Sequence, residues 1–435
     1  MGKKLKIGVF GGRRGRTMIN VLQFHPDAEL VAVCDKYKPL LTSVQKKADE
    51  LGQKVALYEK EDDFFQHEMD AVVLANYATE HGTFAVKYLE SGRHVLSEVL
   101  PCETMAQAVK LVEAVEKSGK VYAYSENFCY MRHSFEMWRR FKAGDIGAPV
   151  YLEGEYAHDC SSIWPVITYG DRNHWRNFLT PNFYCTHSCG PMIAMSGLRP
   201  VQVVGFEMPQ SLDMLSVGAQ KGAALEIITF ENGAVGKSLH GDLKRTPHSY
   251  NYVFYGQKGM METDRFAKDC DGLSVYSEIG LPFGKGKWEE RYTPEMFIEP
   301  ELAKKITTHG GSDFYPTHFF IRKILGDPVA EEWSIDIYKA LDMGMCGILG
   351  YRSVLAGNQP IKIPNFRNKE EREPWRNDNA CSNPAVAGDQ RLPITSWGER
   401  DIPDAVYDRV RELWKAGKKA EERITDFYGV QGQNN

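Results

Sequence analysis

The segment Gly8-Val9-Phe10-Gly11-Gly12-Arg13-Arg14-Gly15-Arg16 closes the apolar run Leu5 to Phe10 and leads into a helical pattern over Thr17 to Phe24. Strand, glycine-rich turn and helix in that order let the backbone approach a dinucleotide pyrophosphate at the N-terminus of the helix. Counted strictly from Gly11, the positions of the G-x-G-x-x-G fingerprint fall on Gly11, Arg13 and Arg16, so only the first is glycine. By itself the turn is also compatible, though less so, with a strand-to-helix connection that binds nothing. Asp35 strengthens the cofactor reading. It closes the next β-branched run, Leu30 to Cys34, about where an acid accepts hydrogen bonds from the adenosine ribose. Its carboxylate would repel a 2′-phosphate and favours NAD over NADP, while Arg13, Arg14 and Lys36 pull the other way. NAD is the expected cofactor, with the arginines at 13, 14 and 16 on its phosphates.

Outward from this turn the chain keeps alternating strand and helix. Pro39 to Leu51, Thr79 to Ser91 and Met105 to Lys117 read as helices, the last two closed by Gly92 and Gly119. Ala71 to Ala75, His94 to Ser97 and Val121 to Tyr124 read as short buried strands. Such βα alternation predicts a doubly wound parallel sheet, since each parallel strand needs a crossover. After residue 125 the texture changes. A helical stretch from Met131 to Lys142 precedes strand candidates at Val150 to Tyr156, Val201 to Phe206, Ala224 to Phe230, Ala234 to His240 and Tyr250 to Tyr255. Asn232-Gly233 between two of them is a two-residue hairpin signal. Hairpin-joined strands predict an open, mostly antiparallel sheet in an α+β second domain. Trp333 to Ala356 reads as one helix ending at Gly357, and Asp404 to Tyr428 as an amphipathic stretch with Val406, Val410, Leu413, Trp414, Ile424 and Phe427 on one stripe. The expected division is residues 1–126, a dinucleotide-binding domain; 127–360, a substrate and oligomerisation domain; and 361–435, an extension that docks on its own chain.

Composition narrows the function. The 435 residues are 43% hydrophobic and 26% charged, which suits a folded globular chain. Lys plus Arg total 53 against 58 Asp plus Glu, a net charge of −5, so there is no basic excess for nucleic-acid phosphates. No stretch approaches the ~20 apolar residues that cross a bilayer, and the apolar run behind the basic start is too short for a signal peptide. A cytoplasmic location is expected. Nine cysteines without paired CxxC spacing argue for reduced thiols. Cys185, His187 and Cys189 alternate at period two and could face one way on a strand, but no fourth ligand is implied, and no metal is expected.

Several segments carry a likeness: Gly8 to Gly15, Cys34-Asp35, Asp70 to Asn76, His94 to Pro101, Phe230-Glu231-Asn232-Gly233-Ala234 and Gly256-Gln257-Lys258-Gly259. Together they resemble the Gfo/Idh/MocA oxidoreductases, which join an N-terminal Rossmann domain to an open antiparallel sheet. Many members carry a Glu-Lys-Pro motif whose lysine assists proton removal from the alcohol being oxidised. Here Val99 stands where that lysine would fall. The departure, together with Tyr156-Ala157-His158-Asp159, Trp175-Arg176, Tyr184 to Pro191 and His309-Gly310-Gly311-Ser312-Asp313, resembles the branch of NAD-dependent α-N-acetylgalactosaminidases. The segment between Arg176 and Tyr184 departs from that branch, so its sugar is not implied.

The resemblance implies an enzyme that oxidises C3 of a sugar, removes the C2 proton, expels the C1 group, adds water and reduces C3 again. An ordinary NAD-dependent sugar or cyclitol dehydrogenase is the alternative. By carry-over His187, Tyr184 and Tyr156 are the expected catalytic residues, since histidine titrates near neutrality and a tyrosine can exchange a proton beside a cation such as Arg176. Gly11, Gly12, Arg13, Arg14, Asp35, Asn76, His81, Glu98 and Asn127 are expected on the cofactor. Tyr130, His158, Trp175, Arg176, His309 and Asp313 are expected on the sugar, although Asp313 is equally well placed to cap a helix starting at Phe314. The expected partner is a small sugar or glycoside, and the chain is expected to form a homo-oligomer through its open sheet.

Overall fold

The computed structural model describes residues 4–244, 249–267, 272–280 and 287–420. The chain divides into two compact units, one of residues 1–143, 292–344 and 365–377, the other of residues 144–291, 345–364 and 378–435.

The first unit holds a six-stranded parallel sheet. Its strands are β1 (Leu5–Phe10), β2 (Ala28–Cys34), β3 (Ala56–Tyr58), β4 (Ala71–Leu74), β5 (His94–Ser97) and β6 (Tyr122–Tyr124), in the order β3-β2-β1-β4-β5-β6. The helices that connect them are α1 (Arg16–Phe24), α2 (Lys38–Glu50), α3 (Glu61–Phe65), α4 (His81–Glu90) and α5 (Met105–Ser118). The strand order reverses between β1 and β4, and ligands of open α/β sheets bind outside the strand ends at such a switch point. Gly11 occupies that place. Residues Ile7, Val9, Val33, Ala71, Val73 and Leu96 are buried at the centre of the sheet, which explains their near-continuous apolar runs. β3 and α3 carry too few apolar residues to be read from periodicity and were not anticipated. In α5, Thr104 accepts from the Gln107 N–H at 3.1 Å while the Gln107 side chain accepts from the Glu103 N–H, and Gly119 closes the helix at φ 62°.

The expected single helix from Trp333 to Ala356 is two helices, Pro328–Trp333 and Ile337–Leu355. Ser334 turns extended at ψ 152°, the Ile335 carbonyl accepts from the Tyr124 N–H, and the Asp336 carboxylate accepts from the Lys339 N–H, capping a new start. A continuous helix could make neither of the last two bonds.

The second unit is a nine-stranded mixed sheet in the order β14-β13-β12-β11-β7-β10-β9-β8-β15. The strands are β7 (Pro149–Ala157), β8 (Pro200–Glu207), β9 (Ala223–Phe230), β10 (Val235–Gly241), β11 (Ser249–Gly256), β12 (Gly259–Asp264), β13 (Gly272–Ser277), β14 (Lys287–Tyr292) and β15 (Ile361–Lys362). Only β7 and β10 pair in parallel; the other registers described are antiparallel. Gly233, at φ 86°, makes the predicted hairpin turn, and Asn232 accepts from the Ala234 N–H. Helices α6 (Arg132–Ala143), in the first unit, and α7 (Trp164–Thr168) and α8 (Thr186–Ser196), in the second, precede or follow β7. The helix Asp404–Lys415 buries Val406 and Val410, the latter against Trp164 and Met214, so this part of the amphipathic stripe docks within its own unit. Ile424 and Phe427 lie outside the described residues. Among the described residues no helix is long and apolar enough to cross a membrane.

Candidate active site

In the first unit the glycine-rich turn is built by close approach. A Cβ on Gly11, which sits at φ 93°, would fall 2.3 Å from the Ala75 carbonyl, and one on Gly15 would fall 2.4 Å from the Gly11 oxygen. The tight turn leaves the first turn of α1 without a side-chain cap. Asp35 accepts from the Gly12 N–H and from the Tyr37 N–H, both at 2.8 Å, and so braces the turn while keeping lone pairs on both oxygens. Asn76 follows β4 next to Gly11, and its Oδ1 is buried with no partner, as is His81 Nε2. These features fit a dinucleotide. His81 is buried at the start of α4, its ring bonded to the Leu100 carbonyl, and burial lowers its pKa to about 4 so that it stays neutral.

Arg14, expected on the cofactor phosphates, pairs with two carboxylates while 36% of its side chain stays exposed. Its guanidinium lies 2.7 Å from Glu98 and 3.3 Å from Asp313, two buried carboxylates that need a cation. Asp313 also accepts from Asn127 Nδ2 at 2.9 Å and from His309 Nδ1 at 2.7 Å. Burial alone would raise its pKa, yet the hydrogen bond from His309 and the charge of Arg14 hold it well below the ordinary carboxylate value. Asp313 thus stands at the N-cap position of the helix Phe314–Ile324 without capping it. His309 adopts φ 47°, between Thr308 and the flexible pair Gly310-Gly311, and its side chain is 38% exposed. With Nδ1 turned to Asp313, Nε2 is the atom it can offer a ligand. Tyr130, expected on the sugar, is instead 1% exposed; its hydroxyl donates to the Trp333 carbonyl, and its ring packs with Phe135, Tyr315 and Phe319. Arg13 is exposed.

In the second unit Tyr156, Tyr184 and His187 come together. Residues Pro181–Tyr184 form a 3-10 turn that runs directly into α8, and this places the Tyr184 ring 5.2 Å from that of His187, edge to face. The Tyr156 ring on β7 is 4.8 Å from His187 on another side. Sheet register adds neighbours. Parallel pairing sets His240 beside Tyr156, and antiparallel pairing sets Tyr250 on the other side, its ring stacked 5.9 Å from that of Tyr156 at an interplanar angle of 18°. His158, the residue after β7, stacks on Tyr156 at 5.4 Å and bonds Cys160 Sγ at 2.8 Å. Arg176 holds its guanidinium 4.4 Å from the Trp175 ring and 5.4 Å from the Tyr184 ring. Burial raises the Tyr156 pKa well above that of a free phenol, with Arg176 acting against it. Trp175 itself is 8% exposed.

The helix that carries His187 rests on β7 at Gly154, where a Cβ would lie 1.9 Å from the Ser188 carbonyl oxygen. Tyr252 donates to the His187 carbonyl at 2.6 Å, and Ser188 and Ser238 share a hydrogen bond of 2.7 Å. Cys185 and Cys189, considered as ligands on a strand face, are one helical turn apart in α8's first turn, fully buried with sulfurs 3.7 Å apart. Gly190-Pro191 reads as a breaker yet lies inside the helix: Pro191 has no N–H to give the His187 carbonyl one turn earlier, and that carbonyl accepts from the Tyr252 hydroxyl instead. Among the described residues no group of three or more His, Cys, Asp or Glu could hold a metal. Sequence reading missed Glu226, His240 and Tyr250, because their proximity to the cluster arises from strand register, and Asn182, whose partner Glu226 is 44 residues away.

Comparison with known proteins bears on the two domains. Residues 5–126 match the oxidoreductase family with an NAD-binding Rossmann fold, and residues 223–372 match the C-terminal domain of glycosyl hydrolase 109. A glycosyl hydrolase family 109 protein of Solibacter usitatus is 26% identical over 396 residues, covering 83% of this chain and 88% of its own. Another, of Phocaeicola vulgatus, is 25% identical over 398 residues, covering 83% and 94%. Among solved structures, levoglucosan dehydrogenase in complex with NADH and levoglucosan superposes with a TM-score of 0.65 at 16% identity, covering 83% of this chain and all of its own. An oxidoreductase domain protein from Kribbella flavida gives 0.65 at 17% identity over 83% of this chain. The chain thus matches the NAD-binding Rossmann domain of the Gfo/Idh/MocA oxidoreductases over residues 5–126 and the C-terminal domain of glycosyl hydrolase 109 over residues 223–372, and together these matches support an NAD-dependent enzyme.

Proposed function

We propose that the protein is a redox-neutral glycosidase: it oxidises a sugar at C3, removes the C2 proton, breaks the bond from C1 to the leaving oxygen, adds water and restores C3. The observation that carries this reading is the group Tyr156, Tyr184 and His187, three proton-bearing side chains within ring contact, in a chain with a glycosyl hydrolase 109 domain. NAD, when bound, supplies reversible two-electron chemistry at C3, which acidifies C2–H while C3 is a ketone. His187 takes and returns the C3 hydroxyl proton. Tyr184, with the Arg176 charge beside its ring, takes the C2 proton; Tyr156, kept protonated by burial, donates a hydrogen bond to the sugar. Tyr156 is also the candidate donor to the leaving oxygen, while His309, its ring oriented by the buried Asp313 carboxylate, offers Nε2 to a ligand. Gly11, Gly12, Asp35 and Asn76 hold the dinucleotide, and Arg14 and Asn127 serve it indirectly by fixing Glu98 and Asp313. His158, Trp175 and Arg176 contact the sugar.

The reading also includes a cytoplasmic homo-oligomer, with contact through the sheet face opposite α8, where Phe206, Val235 and Tyr255 are exposed. The test of function is incubation of the purified protein with aryl glycosides in D₂O. Phenol release with deuterium at C2 and no net NADH is expected. Stoichiometric NADH from added NAD⁺ with no aglycone would instead identify a sugar dehydrogenase.

A further inference from the structure

Next to the tyrosine–histidine group lies a second polar cluster that the chemistry above does not use. Glu226 on β9 is fully buried, Asn182 in the 3-10 turn is fully buried, and His240 on β10 is 1% exposed. Glu226 Oε1 accepts from Asn182 Nδ2 at 2.8 Å and from His240 Nε2 at 3.0 Å. Its Oε2 and the Asn182 Oδ1 are buried without partners. Among the described residues, His240 is the only side chain paired with this carboxylate as an ion-pair partner.

A buried carboxylate is expensive to keep, and apolar residues of similar size usually fill such a place at no loss of stability. Packing alone therefore does not explain Glu226. What the carboxylate does is join two elements. Asn182 belongs to the turn Pro181–Tyr184, whose last residue is Tyr184, and no other hydrogen bond from the Asn182 side chain is made. The backbone of the turn has no freedom on its other side, since a Cβ on Gly347 would lie 2.4 Å from the Asn182 carbonyl oxygen. Glu226 thus tethers the turn to the β9–β10 hairpin, and His240 sets the orientation of the carboxylate.

We propose that Glu226 is a positioning residue: its buried carboxylate, oriented by His240, holds Asn182 and through it the turn that presents Tyr184 to His187. The proposal rests on the assignment of Tyr184 and His187 to proton transfer. It gives Glu226 no contact with substrate or cofactor.

The experiment compares Glu226→Gln, Asn182→Ala and the double variant as full-length protein. Glu226→Gln is isosteric and removes the charge. We expect each single variant to lower kcat about tenfold or more, in line with the effect of small displacements of reacting groups, with KM and NAD affinity little changed. The double variant is expected to be no worse than the worse single one, because both break one tether. Additive losses, or a kcat equal to wild type, would overturn the proposal. A readout independent of turnover is the ¹⁹F spectrum of protein labelled with 3-fluorotyrosine, with the Tyr184 signal assigned through Tyr184→Phe. In both single variants that signal is expected to shift or broaden; an unmoved signal overturns the proposal. A shifted Tyr184 signal in a protein that releases no aglycone from any glycoside would sustain the tether while sinking the glycosidase reading. Should Glu226→Gln fail to fold, Asn182→Ala carries the same two readouts.

Discussion

Gly154→Ala tests how α8 is seated. A methyl group at this position would stand 1.9 Å from the Ser188 carbonyl oxygen and 2.8 Å from its carbon. Ordinary contact is about 3.5 Å, so helix and strand must separate by about 1.5 Å along that direction. Overpacking of this size costs ~1–3 kcal/mol. The Ser188–Ser238 hydrogen bond, 2.7 Å long and fully buried, is stretched beyond use by the same movement, which adds ~1 kcal/mol. Urea denaturation followed by tryptophan fluorescence should therefore show a loss of about 2–4 kcal/mol in the second unit. The displaced helix carries His187, so aglycone release should fall by ~10²-fold, while NAD affinity, a property of residues 5–126, stays the same. Gly52→Ala is the control. Gly52, unlike Gly154, sits at a positive φ of 65°, yet nothing lies within 4 Å of its Cβ position, so it should cost no more than about 1 kcal/mol. Wild-type denaturation and turnover in Gly154→Ala would refute the claim that this glycine is required for the approach of α8.

Other perturbations probe separate contacts. Tyr252→Phe removes the donor to the His187 carbonyl; a loss of about 1 kcal/mol and a fall in kcat at unchanged NAD affinity are expected from denaturation and steady-state kinetics. Asp313 has a depressed pKa in the folded state, so its contribution to stability is complete above the unfolded value of about 4 and is lost as pH falls below it. Asp313→Asn should flatten that acid limb in pH-dependent denaturation, and an unchanged limb would assign the limb to other carboxyls. His25 and His318 share a buried hydrogen bond of 3.1 Å, and burial lowers both pKa values to about 4. Because the unfolded chain binds protons first, stability should decline as pH falls from about 6.5 to about 4 and level off below. His318→Gln keeps an acceptor for His25 and should remove part of that decline; an identical pH profile would contradict the assignment.

The Gly11-to-Gly15 turn, Asp35 and the alternation up to Tyr124 made the parallel sheet and its cofactor legible before any coordinates, because local chain geometry and hydrophobic period carry that information. The hairpin at Asn232-Gly233 was legible for the same reason. The three residues from Ser334 to Asp336 were not, since the apolar pattern of Trp333 to Ala356 continues through them and the break depends on a bond from the distant Tyr124 N–H. Likewise nothing near Arg14 in the sequence announces Glu98 and Asp313, 84 and 299 residues away, which the fold brings to its guanidinium. Tyr130 could be a cleft residue or a core one, and burial of its ring with a hydroxyl on Trp333 decided for the core.

By itself, then, the sequence determined the two kinds of sheet, the cofactor class and the Tyr184/His187 block, all of which rest on residues within one turn or one strand of each other. Only the tertiary structure decided what surrounds them. The pairing of β7 with β10 and β11 puts His240 and Tyr250 on either side of Tyr156, and the approach at Gly154 seats α8 on β7. Strand register is set by burial of a whole face at once, so no local stretch of sequence encodes it.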